Sequence, residues 1–249
     1  MNDEWQAMPE KLELLGSEVH VFKGSLEVNS DLENHFWKTL AEEEKKRADR
    51  FHFPIHRAYF IAGRGILRQL LGQYLNVLPQ DLQFEYGPQG KPFLTHFPNF
   101  KFNISHSKHH ILLAFSKKNT IGIDVEVINS KIEFDIIAPR FFSKNEATTL
   151  LALPISEQPA VFYNCWTRKE AFIKAKGAGL SFDLTSFSVS IHDDFPQLLR
   201  TQWNPKEKDS WKFFSFVPQE GYFSALCVSS EIENVSCFDI VHLNRLRCN

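Results

Sequence analysis

Apolar positions along this chain change period several times, and each change marks an element. Residues 40–50, LAEEEKKRADR, carry acid-before-base pairs four apart, Glu42 with Lys46 and Glu43 with Arg47, which predicts a solvent-facing helix. Pro54 can open a second, longer helix on which Ala58, Ala62, Ile66, Leu70 and Tyr74 recur near helical spacing to about Leu75. Gly63, Gly65 and Gly72 weaken that helix locally and are candidates for close packing. Turn-rich NVLPQDL and YGPQGKPFL follow, and the spacing predicts strands at 82–86, 100–104, 109–116 and 120–128. In the second half, FFSKNEATTLLAL predicts a helix entered through Ser143, and AVFYNCWTRKEAFIKAKG a longer one stopping near Gly177. Strands at 186–192, 211–218 and 222–230 come next, then a looser C-terminal stretch. Helices followed by strands thus occur twice without visible sequence repetition. The expectation is an α+β fold of two similar, pseudo-duplicated subdomains, 1–125 and 126–249, joined as one two-lobed unit.

Composition narrows the class. At 249 residues, 43% apolar and 23% charged, the chain can bury a substantial core, and its 24 Phe imply an aromatic-rich one. A net charge of -2 supplies no global field for nucleic acid or an anionic membrane, so neither partner is expected and any anion site must be built locally. The acidic start, MNDEWQAMPEKLELL, lacks a secretory pattern and no apolar run approaches a membrane span, so a cytoplasmic protein is expected. Cys165, Cys227, Cys237 and Cys248 show no metal or compact disulfide spacing and read as free thiols, with Cys165 in the core beside Trp166.

The chemistry concentrates in IGIDVEV. Side chains two apart on a strand share a face, so Asp124 and Glu126 stand side by side while Ile123, Val125 and Val127 pack the other way. Two adjacent carboxylates suit a hard divalent cation such as Mg²⁺; an exposed antiparallel edge would show the same alternation. In WTRKEAFIK, Trp166, Glu170 and Lys174 lie four apart on one helix face. Glu170 can add an oxygen ligand and Lys174 can meet a phosphate, although Glu before Lys at this spacing is also an ordinary surface pair. In NISHS, Ser105 and His106 can donate to phosphate or to structure, and GPQGKP presents Lys91 on a rigid turn. His106, His109 and His110 complete no zinc-ligand spacing.

Taken in order, GPQGKP, FNISHS, IGIDVE, RFFSKNE and WTRKEAFIKAKGAGL resemble the surfactin-type 4′-phosphopantetheinyl transferases over about residues 45–192. The resemblance implies two fused, similar halves with the ligand site between them, and a monomer. It also implies transfer of the phosphopantetheine arm of coenzyme A to a serine of an apo acyl, peptidyl or aryl carrier protein, with adenosine 3′,5′-bisphosphate released. By motif position, Asp124, Glu126 and Glu170 would hold Mg²⁺ and Lys174 would contact the diphosphate. Ser105 and His106 would bind nucleotide phosphates, Lys91 would lie in the coenzyme A pocket, and Arg47 would help with the 3′-phosphate. Glu44 departs from the pattern, standing where the best-known member has a second base. The resemblance offers Glu146, or Glu126 through a water, as general base, but Ser143 and Glu146 also form the S-x-x-E spacing of a helix capping box. Trp166 either borders the site or belongs to the core. Arg140, Lys144 and Arg168 are candidates to meet an acidic carrier helix. A metal-dependent phosphohydrolase or nuclease could use the same acids but would call for a basic groove, and a module that only binds coenzyme A or a carrier would not need every ligand present.

Overall fold

Two halves with the same strand topology organise the chain. The computed structural model describes residues 5–129, 131–179, 181–192 and 195–240. In the first half, strand β2 (Glu18–Ser25) leads through helices α1 (Ser30–Thr39), α2 (Glu42–Ala48) and α3 (Pro54–Leu75) to a small hairpin, β3 (Phe84–Tyr86) with β4 (Pro92–Leu94). The large hairpin β5 (Phe100–Ser107) and β6 (His110–Lys117) follows, and β2 pairs antiparallel with β6. The second half repeats the plan. Strand β7 (Ile121–Val127) leads through α4 (Phe134–Phe141), α5 (Lys144–Leu151) and α6 (Gln158–Lys176) to the small hairpin β8 (Phe187–Val189) and β9 (Leu198–Thr201). The large hairpin β10 (Trp211–Phe216) and β11 (Tyr222–Ser229) then pairs antiparallel with β7. Strand orders β2-β6-β5 and β7-β11-β10 are therefore equivalent. The equivalence starts the second half at Ile121; a division between residues 125 and 126 falls inside β7.

The strands expected around 100–128 are present, as are the α3 and α6 helices. Pro54 opens α3, and α6 stops where Gly177 adopts a left-handed φ of 65°. Gly65 is a close-packing point: a Cβ there would lie 2.1 Å from Cγ of Phe36 on α1. Strand β2 and helices α1 and α4 were outside the expectation. In place of a looser C-terminal stretch, β12 (Asn234–Asp239) pairs in parallel with β2 and with the short β1 (Gln6–Ala7), completing a five-stranded sheet. Its sequence, NVSCFD, has too few apolar residues to announce a strand; pairing on both sides supplies what propensity does not.

Alternation on the strands builds four layers, helix, sheet, sheet, helix. Phe22, Ile111, Leu113 and Phe115 face α3 in one core, while Val19, Val21, Leu112 and Ala114 pack against Ile121, Ile123, Val125, Leu226 and Val228 of the other sheet. The outward face of that second sheet packs Ala225 and Cys227 against Phe172 and Ile173 of α6. Cys165, Cys227 and Cys237 are free thiols; Cys248 lies outside the described residues. Among the described residues, no helix is long and apolar enough to cross a membrane.

Candidate active site

The site begins where β7 meets α6 with almost no side chain between them. A Cβ on Gly122 would stand 2.1 Å from the Ala171 carbonyl and 2.3 Å from the Ala175 nitrogen, so only glycine permits this approach. The same strand face then carries Asp124 and Glu126 toward Glu170 and Lys174, one strand and one helix supplying all four groups. The opposite edge of β7 lacks a ladder partner, and β5 provides one with side chains. Asn103 Oδ1 accepts from Ile123 N–H (2.8 Å), Ser105 Oγ from Val125 N–H (3.4 Å) and Ser107 Oγ from Val127 N–H (3.2 Å). The edge is thus covered, and Asp124 is only 3% exposed, unlike a carboxylate on a solvated edge.

The serines also reach the acids. Ser105 Oγ donates to Asp124 Oδ1 (2.9 Å) and Ser107 Oγ to Glu126 Oε2 (2.9 Å). Lys174 Nζ donates to Asp124 Oδ1 at 2.5 Å and to Ser105 Oγ at 2.9 Å. Three carboxylates therefore share one ammonium, and the cluster carries excess negative charge in a largely dry setting. Burial, then Asp124 and more weakly Glu126, push the Glu170 carboxyl up to about 7 against the pull of Lys174. Burial and Asp124 likewise raise Glu126. Two oxygens, Asp124 Oδ2 and Glu170 Oε1, are buried with no hydrogen-bond partner. Orphaned carboxylate oxygens of this kind cost free energy unless a cation meets them. Among the described residues no three acid, imidazole or thiol groups already stand converged as metal ligands, and Lys174 takes the cation's place against Asp124. An all-oxygen donor set with unsatisfied lone pairs fits Mg²⁺.

Beside the cluster opens a cavity of about 920 Å³, walled by first-half residues Arg47, Phe60, Arg64, Lys91, Asn103 and His106 and by second-half Glu170 and Lys174. It lies between the two halves. Arg47 is exposed there, its guanidinium 5.2 Å from the Phe60 ring centroid. His106 faces the cavity, and its imidazole is lowered from the usual value by the surrounding protein, then by Lys174 and His56. Ser105 is turned the other way, buried in the hydrogen bonds just described. Lys91 reaches in from the turn after β3, but its ammonium donates to the carbonyls of Ile121 (3.0 Å) and Lys174 (2.6 Å) and, at 3.5 Å, Ala175. It thereby clips β7 to the last turn of α6, where the helix dipole favours a cation, while burial, with Lys101 adding, pushes it down to about 8.

Comparisons with known proteins identify the family. Residues 120–227 match the model of the 4′-phosphopantetheinyl transferase superfamily, and residues 30–118 match that of the 4′-phosphopantetheinyl transferase N-terminal region. The chain is 35% identical over 228 residues to 4′-phosphopantetheinyl transferase HetI of Nostoc sp., covering 90% of this chain and 93% of that one. It is 36% identical over 159 residues to 4′-phosphopantetheinyl transferase Sfp of Bacillus subtilis, covering 64% and 70%. The chain belongs to the 4′-phosphopantetheinyl transferase family. The two family matches meet at residues 118–120, the point where strand topology starts its second round. Among solved structures, a Thermotoga maritima holo-[acyl-carrier-protein] synthase aligns over 45% of this chain and 63% of that one, at 20% identity and a TM-score of 0.36, an overlap too partial to bear on the site.

For this transferase, not every residue singled out in the sequence joins the cavity. Glu146 lies apart from the acid cluster and is 4% exposed. Its Oε2 accepts from Ser143 N–H and from Lys169 Nζ (2.7 and 2.8 Å), and its Oε1 from Val189 N–H (2.7 Å). With the Ser143 cap, that is the capping box, tied further to β8. Both of its oxygens are thus committed to the fold. Arg168 corrects the carrier-contact expectation: it is fully buried and donates to the carbonyls of Ser190 and His192 at 2.7 Å each and to Ser215 Oγ. Trp166 stacks on Phe162 (5.8 Å) at the margin of the second core. Arg64, Tyr59, Phe60 and Tyr86 line the cavity without having been singled out. Arg64 had a signal: AGRGILR sets two arginines four apart within an apolar helix, which demands a buried counter-charge.

Proposed function

We propose that this chain transfers the 4′-phosphopantetheine arm of coenzyme A to a serine of an apo acyl, peptidyl or aryl carrier protein, with Asp124, Glu126 and Glu170 holding Mg²⁺. One observation carries the reading: a cluster of three carboxylates with two orphaned oxygens, bound to Lys174, opens through Glu170 and Lys174 onto a cavity large enough for a phosphorylated nucleotide. Bound there, Mg²⁺ would neutralise the diphosphate and stabilise the departing phosphate. Lys174 adds a point charge on the diphosphate side of the cluster, and His106 and Arg47 offer donors along the cavity wall. The carrier serine oxygen forms a bond to the pantetheine-side phosphorus as the bond from that phosphorus to the bridging oxygen breaks. Adenosine 3′,5′-bisphosphate leaves with that oxygen. The serine proton goes through a water to Glu126, which belongs to the cluster and is only half-buried, rather than to the fully bonded Glu146.

Carrier docking is assigned to the exposed surface of α4 and the start of α5, where Ile136, Arg140 and Lys144 face solvent. Both walls of the cavity come from the two halves of one chain, so the proposed site needs no second copy. The test is the intact mass of an apo carrier protein incubated with this protein, coenzyme A and Mg²⁺, beside reactions with EDTA and with Asp124→Ala. A phosphopantetheine adduct that vanishes in both controls is expected; an adduct that survives EDTA would remove the metal from the reading, and no adduct on several carrier types would overturn the reading itself.

A further inference from the structure

Glu44, the acid that interrupts the expected basic pair on α2, does not point into the cavity. It is 4% exposed and faces two guanidiniums on α3, Arg64 and Arg68, which are 8% and 1% exposed. Arg64 Nε donates to Glu44 Oε1; Arg68 Nε donates to Oε2 at 2.7 Å, and Ala41 N–H completes the carboxylate at 2.9 Å. Burial alone would raise the Glu44 carboxyl, yet the two arginines hold it below its usual value, so it is ionised. One buried anion against two buried cations leaves one positive charge uncompensated, an arrangement that is costly until an anion arrives.

The two arginines differ in how their remaining donors are used. Arg68 spends Nη1 on the carbonyls of Pro79 (2.7 Å) and Leu82 (3.1 Å), which locks it into the fold. Arg64 has no such outlet. Its Nη2 is buried without a partner, its guanidinium lies 4.4 Å from the Phe84 ring centroid, and the residue forms part of the cavity wall. Phe60, one helical turn before Arg64, carries Arg47 on its ring, so both cations sit at the α2–α3 end of the cavity. Lys174 and the acids occupy the α6 end.

We propose that Arg64 is a specificity-determining residue that binds the 3′-phosphate of coenzyme A together with Arg47, and that Glu44 is the positioning residue that aims it. The proposal rests on the coenzyme A reading above. Coenzyme A carries anionic groups at two separate places, and a cationic wall built from α2 and α3, not from the α6 and β7 of the acid cluster, suits the 3′-phosphate rather than the diphosphate. Glu44 is then compatible with a second base in this pocket, because the base comes from α3 instead of α2.

The experiment compares kcat/KM for coenzyme A and for 3′-dephospho-coenzyme A in the wild type, Arg64→Met and Arg64→Lys. A ratio of two substrates on one preparation is independent of how much of a variant folds. Wild type should prefer coenzyme A; Arg64→Met should lose about 10-fold or more of that preference through a raised KM for coenzyme A, with 3′-dephospho-coenzyme A little affected. Arg64→Lys, which keeps the charge beside Glu44 but loses the planar fork, should fall between them. An unchanged ratio, or equal losses on both substrates, would overturn the proposal. Calorimetric binding of the same two ligands separates the failures: a wild type that binds but makes no adduct would sink the transfer reading and leave the binding ratio to decide the role of Arg64.

Discussion

Helix α6 carries two acid–base clusters on different faces, and they are built to opposite rules. On one, Lys169 is fully buried and its three donors meet Glu146 Oε2, Leu184 O and Phe187 O, each at 2.8 Å, while Glu146 takes backbone N–H groups on both oxygens. On the other, Glu170 and Asp124 each leave a buried oxygen without a partner and share Lys174 with Glu126. Lys169 and Glu170 are adjacent in sequence. What separates a structural ion pair from a reactive one here is how completely its hydrogen-bonding capacity is used. A saturated buried pair has nothing left to offer a ligand, and an unsaturated one is unfavourable until a ligand comes.

That contrast can be broken in four ways, of decreasing size. Asp124→Ala should cut carrier modification by about 10³-fold or more, the scale of losing a metal ligand and its electrostatic work. It should lower thermal stability little, because the lost Lys174 and Ser105 contacts are offset by removal of an orphaned oxygen and a like-charge neighbour; a melting temperature that fell steeply with the activity would place Asp124 on the structural side. Glu146→Gln should behave in reverse. It leaves the Lys169 ammonium buried without its counter-ion, so urea unfolding should show a loss of about 3 kcal/mol, while kcat per folded enzyme stays near wild type. A large drop in that normalised kcat would restore Glu146 as a catalytic residue.

The third test uses pH. A carboxyl raised to about 7 in the fold, against 4.5 otherwise, makes the folded protein the better proton binder between those values. Metal-free stability from Glu170 is therefore fully present below about pH 4.5 and is lost as pH rises through 7, by at most about 3 kcal/mol. A cation must displace that proton, so the rise in melting temperature caused by Mg²⁺ should be small at pH 5.5 and larger at pH 8, and Glu170→Gln should flatten the trend. An equal Mg²⁺ effect at both pH values would count against the carboxylate trio as its site. Smallest of all, Arg140→Glu with Lys144→Glu should raise the KM for an acidic carrier a few-fold, more at low salt, with the KM for coenzyme A unchanged. Arg168→Glu should instead damage the fold.

Local signals were legible in the chain itself. Alternation in IGIDVEV sends Asp124 and Glu126 to one face and Ile123 and Val125 to the other, and the structure has that arrangement. Four-residue spacing put Glu170 and Lys174 on one turn-to-turn stripe of α6, Ser143 capped α5 and Gly177 ended α6. These features depend on neighbours within a few residues, where backbone geometry alone decides who faces whom. Partners from distant segments were not legible. Only tertiary structure decided that Glu44 would face α3 arginines twenty and twenty-four residues away, that Arg168 would be buried against β10, or that β12 would cross back to β2. The same charged residue is a solvated surface group, a structural ion pair or a binding group according to its burial and how many of its hydrogen bonds are met. Both are settled only when segments distant in sequence pack against each other.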